Sequence, residues 1–255
     1  MEYRSITIKG NFKKSLMKIG IVGTGNWGKK IIKKLRELGC QIKIIKRKDS
    51  FIKEAANLNT IFIVTDDNSH FKFLNLIKNT NKKIFCEKPL TRKINELKKI
   101  KKFGFKNIFV SDIANYYPNY KVKNENYIFR SKIDRGNTKN LKKRFDLLYR
   151  FFYHDLSYLL HRFKNLKVKK IKIINSKKYL EFVLKINSKF FHFTYVTDKK
   201  KKYTFNGKSL YSGKDNLKKM LKTFLKGNFH SKNNFKKAIK ISQIIEIVRR
   251  KILEN

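Results

Sequence analysis

Gly23, Gly25 and Gly28 constrain this chain more than any other residues. They follow a short β-branched run, Lys18-Ile-Gly-Ile-Val22, and precede a basic amphipathic stretch. A strand entering a Gly-x-Gly-x-x-Gly turn that opens a helix is how a βαβ unit holds a pyrophosphate. The first glycine permits the tight turn. The second lets backbone approach the phosphates, and the third lets helix pack on strand. The turn residues Gly23, Thr24, Gly25, Asn26, Trp27 and Gly28 are therefore the expected cradle of a dinucleotide cofactor.

The pattern that follows extends this reading. Asn26–Leu38 predicts a helix, with Trp27, Ile31, Leu35 and Leu38 at helical spacing and lysines outside. Strands are predicted over Gln41–Lys46, Thr60–Thr65, Lys83–Cys86 and Asn107–Ser111. Helices are predicted between them, over Ser50–Leu58, Asn68–Asn79 and Ile94–Phe103. This alternation predicts an α/β fold, a Rossmann-type doubly wound parallel sheet over residues 17–117. Only a dozen or so residues separate the second strand from Thr60, so the sheet is expected to be one βα unit short on the adenine side.

After Pro118 the character changes. A long apolar, aromatic helix is predicted over Asp146–Phe163. Strands follow at Lys169–Asn175, Leu180–Ile186, Phe190–Thr197 and Lys202–Phe205, with turns at Asn187-Ser188 and Asn206-Gly207. Helices over Asn216–Leu225 and Asn234–Leu253 close the chain. Residues 118–255 thus read as an α+β domain with a mainly antiparallel sheet, serving substrate binding and oligomerisation. Residues 1–16 are unlike the start of a fold, and Met17 stands before the first strand as an alternative start.

Lys and Arg number 64 against 18 Asp and Glu, a formal charge of +46. The charge is spread along the whole length, in a chain rich in Asn, Ile and Phe. That argues for general composition over a dedicated nucleic-acid footprint, which clusters its charge. No helix-turn-helix, zinc or RNA-binding signature accompanies it, so nucleic acid is not the expected partner. Such a field does attract anionic small molecules. Cys40 and Cys86 are too few for a metal cluster or a disulfide framework. No apolar run approaches a membrane span and no signal-peptide core is present, so a cytoplasmic protein without a membrane partner is expected.

Three further features refine the site. Lys46, Arg47 and Lys48 stand where NAD sites place an acid, with Asp49 just beyond. A cation there suits a 2′-phosphate, so NADP is the expected cofactor with Arg47 its main contact, and NAD is the alternative. The second feature is Thr65-Asp-Asp-Asn68-Ser-His70, followed by Cys86-Glu87-Lys88-Pro89-Leu90. The third is the run Asp146-Leu-Leu-Tyr-Arg150-Phe-Phe-Tyr-His154-Asp155. Together with Gly-Thr-Gly-Asn-Trp-Gly, these segments resemble the glucose–fructose oxidoreductase / inositol 2-dehydrogenase family (Gfo/Idh/MocA), from about Met17 to the end of the chain.

The resemblance implies an NAD(P)-dependent oxidoreductase. It would pass a hydride between nicotinamide and a carbon of a sugar, cyclitol or nucleotide sugar. It implies that Lys88 lies at the nicotinamide and the reacting hydroxyl, as a catalytic and substrate-binding group. Glu87, Thr65, Asn68 and His70 fall on cofactor-side positions, with His70 bracing the loop. His154 becomes the second proton-handling group, although its aromatic neighbours equally suit a core histidine. Asp155 ranks below it, because adjacent helical residues face different ways. His161, His192 and His230 have no motif context and read as structural.

The family pattern is broken in places. Arg150 stands one turn before His154, where many members carry Asp. It cannot act as a base but can bind a phosphate or carboxylate. Asp66 replaces a proline and is expected to loosen its turn. These breaks keep a diverged, catalytically weak nucleotide- or sugar-binding protein as the alternative to an active enzyme. An open sheet face in the second domain also makes a homo-oligomer an expected partner.

Overall fold

The computed structural model describes residues 17–46, 50–131, 145–163, 166–174, 179–197, 200–211, 215–227 and 231–254. Arg47, Lys48 and Asp49 lie outside the described residues, as do residues 1–16 and His230.

The first five strands are β1 (Lys18–Val22), β2 (Gln41–Ile45), β3 (Thr60–Ile63), β4 (Lys83–Cys86) and β5 (Ile108–Val110). All their pairings are parallel, in the order β2-β1-β3-β4-β5. Measured against the six-stranded order of a dinucleotide fold, no unit stands outside β2 among the described residues, in line with its short connection to Thr60. The strands are apolar on both sides because helices cover both faces. On one face Phe62, Phe85 and Phe109 pack against Ile31 and Leu35 of α1 (Asn26–Glu37). On the other, Ile61, Ile63 and Ile84 meet α2 (Phe51–Ala56), α3 (His70–Leu76) and α4 (Ile94–Lys102).

The second sheet holds β6 (Glu125–Ser131), β7 (Val168–Ile174), β8 (Tyr179–Ile186), β9 (Lys189–Val196), β10 (Lys202–Phe205) and β11 (Lys208–Ser209). Its order is β11-β10-β6-β9-β8-β7, antiparallel except for the β6–β9 pair. Asn187 with φ 55° turns the β8–β9 hairpin, and Asn206 and Gly207 with φ 49° and 78° turn β10–β11. Two-residue turns of this hand match the twist of the strands they join.

β6 has no counterpart among the predicted strands. Its buried residues are Asn126, Ile128, Arg130 and Ser131, so three of four buried positions are polar and the apolar alternation of a strand is missing. The polar ones are satisfied by near and distant partners, Asn126 exchanging hydrogen bonds with the backbone of Lys123 at 2.9 Å. Asn126 Nδ2 donates to the carbonyl of Phe190 at 3.3 Å, and Arg130 Nε donates to Asp155 at 2.7 Å.

The aromatic helix is helical from Phe145, but it widens into a π turn over Leu148–Phe152 before continuing as α5 (Tyr153–Leu160). The last helices, α6 (Asn216–Lys226) and α7 (Ser231–Leu253), return to the first sheet. Leu217, Met220, Leu221 and Phe224 of α6 join the α1 face, while Ala238 and Ile239 of α7 join the opposite one. Ile241, Ile244 and Val248 of α7 pack under the second sheet, so one helix serves both cores.

Candidate functional site

The glycine turn leaves β1 at the point where the chain order reverses, between β1 and β3. That crevice is where open α/β sheets bind ligands. Gly23 has φ +102°, and a Cβ there would lie 2.4 Å from the Val64 carbonyl. A Cβ on Gly28 would lie 2.2 Å from the Gly23 oxygen. Both are glycine because packing admits nothing else. Gly25 differs, since a Cβ there meets nothing within 4 Å. It is the N-cap of α1, with no side-chain cap and no acid in the first turn. The first amides of α1 are thus left for an anion, in a space kept open above Gly25. Thr24 and Asn26 flank it, exposed. These residues fit a dinucleotide pyrophosphate.

Next to this turn lies a cleft of ≈ 620 Å³ between the two sheets. Trp27, Thr65, His70, Glu87, Lys88, Arg150 and His154 of the predicted set all line it. Asn68 is exposed, does not line the cleft and donates its backbone N–H to Asp66 at 3.2 Å. Asp155 points the other way. It is 1 % exposed and held by Arg130 and by the Tyr195 hydroxyl at 2.7 Å, so the helix presents His154 to the cleft and Asp155 to the core. The expected substrate contact at Asp155 is a buried ion pair instead.

Short loops after β3 and β4 build the cofactor-side wall. His70 joins them, with Nδ1 2.7 Å from the Pro89 carbonyl and Nε2 3.2 Å from the Thr65 carbonyl. The Lys88–Pro89 peptide is cis. Asp66 stabilises its loop rather than loosening it, because its carboxylate accepts from Asn68 N and, at 2.8 Å, from Ser69 Oγ. The same turn delays the start of α3 from the expected Asn68 to His70. Glu87 accepts the indole N–H of Trp27 at 2.5 Å, tying β4 to the glycine turn.

Lys88 reaches across the cleft. Its Nζ donates to the carbonyl of Tyr149 at 3.0 Å and of Arg150 at 3.5 Å, both in the π turn. The wide turn therefore presents two carbonyl acceptors to Lys88, and π bulges are frequent at functional sites. Burial lowers the Lys88 ammonium to about 8, while the carboxylates of Glu87 and Asp67 hold it up. His154 is driven well below the ordinary histidine value, first by burial and then by Lys88 and Arg130. It is therefore neutral at neutral pH. The cleft is thus lined by a lysine lowered to about 8 and by an uncharged imidazole, groups able to exchange a proton with a hydroxyl.

Other cleft residues carried no sequence signal. Arg92 donates to Asp67 at 2.6 Å and to Asp146, and lies 5.0 Å over the Tyr149 ring, clasping one lobe to the other. Tyr117, Lys201, Tyr203 and Tyr211 complete the far wall. Tyrosines and lysines are common throughout this chain, and no motif singles these out.

No family profile and no curated protein sequence matches the chain. Solved structures do. The WlbA (WbpB) dehydrogenase from Thermus thermophilus, in complex with NAD and UDP-GlcNAcA, aligns with TM-score 0.72 at 11% identity, over 92% of this chain and 95% of that one. UDP-N-acetylglucosamine 3-dehydrogenase GnnA from Acidithiobacillus ferrooxidans aligns with TM-score 0.74 at 11% identity, over 91% and 96%. A myo-inositol dehydrogenase from Corynebacterium glutamicum aligns with TM-score 0.69 at 10% identity, over 91% and 95%. These neighbours are Gfo/Idh/MocA-type dehydrogenases, and the chain has their two-domain fold.

Proposed function

On the premise of that fold, we propose that this protein is an NAD(P)-dependent oxidoreductase acting on a CH–OH carbon of a sugar, cyclitol or nucleotide sugar. One observation carries the proposal. Lys88 and His154, sixty-six positions apart in sequence, line one cleft beside an open phosphate cradle.

The residues divide the work. Gly23 to Gly28 and the first amides of α1 would hold the pyrophosphate, and Glu87 with Trp27 and His70 would shape the nicotinamide side. A bound nicotinamide supplies the hydride donor or acceptor. Lys88 moves the proton at the substrate oxygen, taking it during oxidation and returning it during reduction. His154, neutral, holds the same hydroxyl in line through a ring nitrogen. Arg150, on the cleft face of the π turn, suits an anionic substrate group better than the base its position would otherwise supply.

Arg47, one residue beyond the described Lys46 at the end of β2, is assigned the 2′-phosphate of NADP. The outer face of the second sheet is assigned to a second copy of the chain. It mixes Glu125 and Glu181 with Lys170, Lys172 and Lys185 around Tyr127, Val183 and Phe190, a self-complementary surface for a two-fold contact.

The test is a fluorescence titration of NADPH and NADH, separately, at moderate salt. Both should saturate, NADPH at the lower concentration. Arg47→Asp should weaken NADPH while leaving NADH. Failure of both dinucleotides to bind would overturn the oxidoreductase reading; an unchanged preference in the variant would remove Arg47 from its role.

A further inference from the structure

The far wall of the cleft carries a feature that proton transfer and hydride transfer do not use. Tyr203, on β10, and Tyr211, just past β11, stack with centroids 5.5 Å apart and planes 15° from parallel. Lys201 Nζ lies 4.4 Å over the Tyr211 ring and 5.4 Å over Tyr203. Beneath them the Arg130 guanidinium, 1 % exposed, sits 4.6 Å over Tyr203. The Arg130 guanidinium thus backs Tyr203, while Lys201 stands beside both rings at the surface. Their backbones are pinned as well. Leu210 N donates to the Tyr203 carbonyl at 2.9 Å, and Tyr211 N donates to Ser209 Oγ at 3.0 Å.

This arrangement costs something unless it is used. Tyr211 is 52 % exposed while lining the cleft, a large flat ring fixed in place with its surface open to solvent. A rigid, exposed aromatic ring with a cation beside it matches one ligand chemistry closely. A nucleobase stacks on the ring, and its phosphates meet the cation. Lys201 and Arg150 line the same cleft, so a diphosphate running from the ledge towards Lys88 would stay among positive groups. The acids of the cleft, Asp66, Asp67 and Glu87, stand on the opposite, cofactor-side lobe. The cleft volume, ≈ 620 Å³, lies within the roughly 300–1,000 Å³ that takes a ligand of several rings, well beyond one hexose.

We propose that Tyr203, Tyr211 and Lys201 form a subsite for the base and diphosphate of a nucleoside diphosphate carried on the substrate. The proposal rests on the cleft being the substrate site of the oxidoreductase, and it selects nucleotide-linked sugars over free sugars and cyclitols. It places the substrate's nucleotide end, which stays attached through the reaction, on the second sheet, away from the cofactor's own phosphates at Gly23 to Gly28.

Calorimetric titration of the whole chain tests it, with uridine diphosphate and adenosine diphosphate as probes and pyrophosphate and glucose 1-phosphate as comparators without a base. NADH is present at saturation to block the glycine cradle; if NADH itself fails to bind, the titrations are made on the protein alone. A nucleoside diphosphate should bind more tightly than either comparator. Tyr211→Ala, at an exposed position that leaves folding intact, should weaken it about 5- to 150-fold, the range expected for one stacked base. Tyr211→Trp should restore it, and NADH affinity should not change in either variant. Equal binding of pyrophosphate, or an unchanged affinity in Tyr211→Ala, would overturn the subsite. Loss of NADH affinity in Tyr211→Ala would also overturn it, by showing that the ledge belongs to the cofactor. A subsite that fails while NADH binds leaves the oxidoreductase reading standing; NADH failing while Tyr211 governs nucleotide binding sinks only that reading.

Discussion

Lys88 is subject to opposing effects, of which burial is the largest. Burial disfavours its charge, and the carbonyls of Tyr149 and Arg150 with the carboxylates of Glu87 and Asp67 favour it. With the balance at about 8, the ammonium dominates at neutral pH and the amine dominates above. The sign follows. In the oxidation direction the amine must accept a proton, so kcat/KM should rise with pH through about 8 and level off. In the reduction direction the ammonium must donate, so the rate should fall above the same value. His154 stays neutral across this window and adds no second step. Lys88→Met should lose turnover by roughly 10²–10⁴-fold with dinucleotide affinity unchanged. Steady-state rates in both directions check this, and a flat pH profile would remove Lys88 from proton transfer. At this scale the sequence reads well. The Glu-Lys-Pro motif marks Lys88, yet the acceptors that hold it lie sixty positions away and leave no mark on the motif.

At the scale of elements, β6 and the π turn do most to place the site. Arg130 on β6 anchors Asp155, and through the helix that pair fixes which face His154 presents. Burial raises the Asp155 carboxyl, and Arg130 with the Tyr195 hydroxyl draws it back. A charge pair at 1 % exposure is costly to break from one side. Arg130→Met should therefore destabilise the protein by about 3–5 kcal/mol, whereas Arg130→Met/Asp155→Leu should recover much of that loss. Urea denaturation of both variants and of Asp155→Leu gives the coupling; additive effects would show that the two charges act independently. Neither element was legible beforehand. β6 lacks an apolar face because three of its four buried positions are polar, Arg130 being paired with Asp155 on the aromatic helix. The π turn differs from an α-helix by one hydrogen-bond register, which the apolar run of residues 147–153 does not encode.

Across the whole molecule, α7 packs into both cores and Lys237 on it donates to Asp112, at the end of β5, at 2.7 Å. Ser157 on α5 donates to the same carboxylate. The lobes facing the cleft are thereby joined through one buried acid, and the site is a property of their joint packing. The outer face of the second sheet remains open, with Tyr127 54 % exposed and stacked on His192. Covered by a second copy, it should yield a dimer in sedimentation velocity. Val183→Asp, central on that face, should shift the protein to monomer without lowering its melting temperature. A monomeric parent would exclude this surface as an interface. Because the chain carries +46, these measurements need salt enough to screen repulsion beyond about 8–10 Å.

The sequence by itself determined whatever depends on near neighbours. The glycine turn has only one workable backbone, the β-branched runs have only one buried use, and Glu87-Lys88-Pro89 and His154 stand in local motifs. The tertiary structure decided what those residues face. It turned Asp155 inward to Arg130, set Lys88 against a widened helix, made Asp66 the support of its own loop, and stacked Tyr203 on Tyr211 at the cleft edge. The first two depend on partners tens of residues away, and the other two on side-chain contacts that the local pattern does not announce. Such contacts satisfy buried charge and shape a cavity, and they leave no periodic trace in either segment alone.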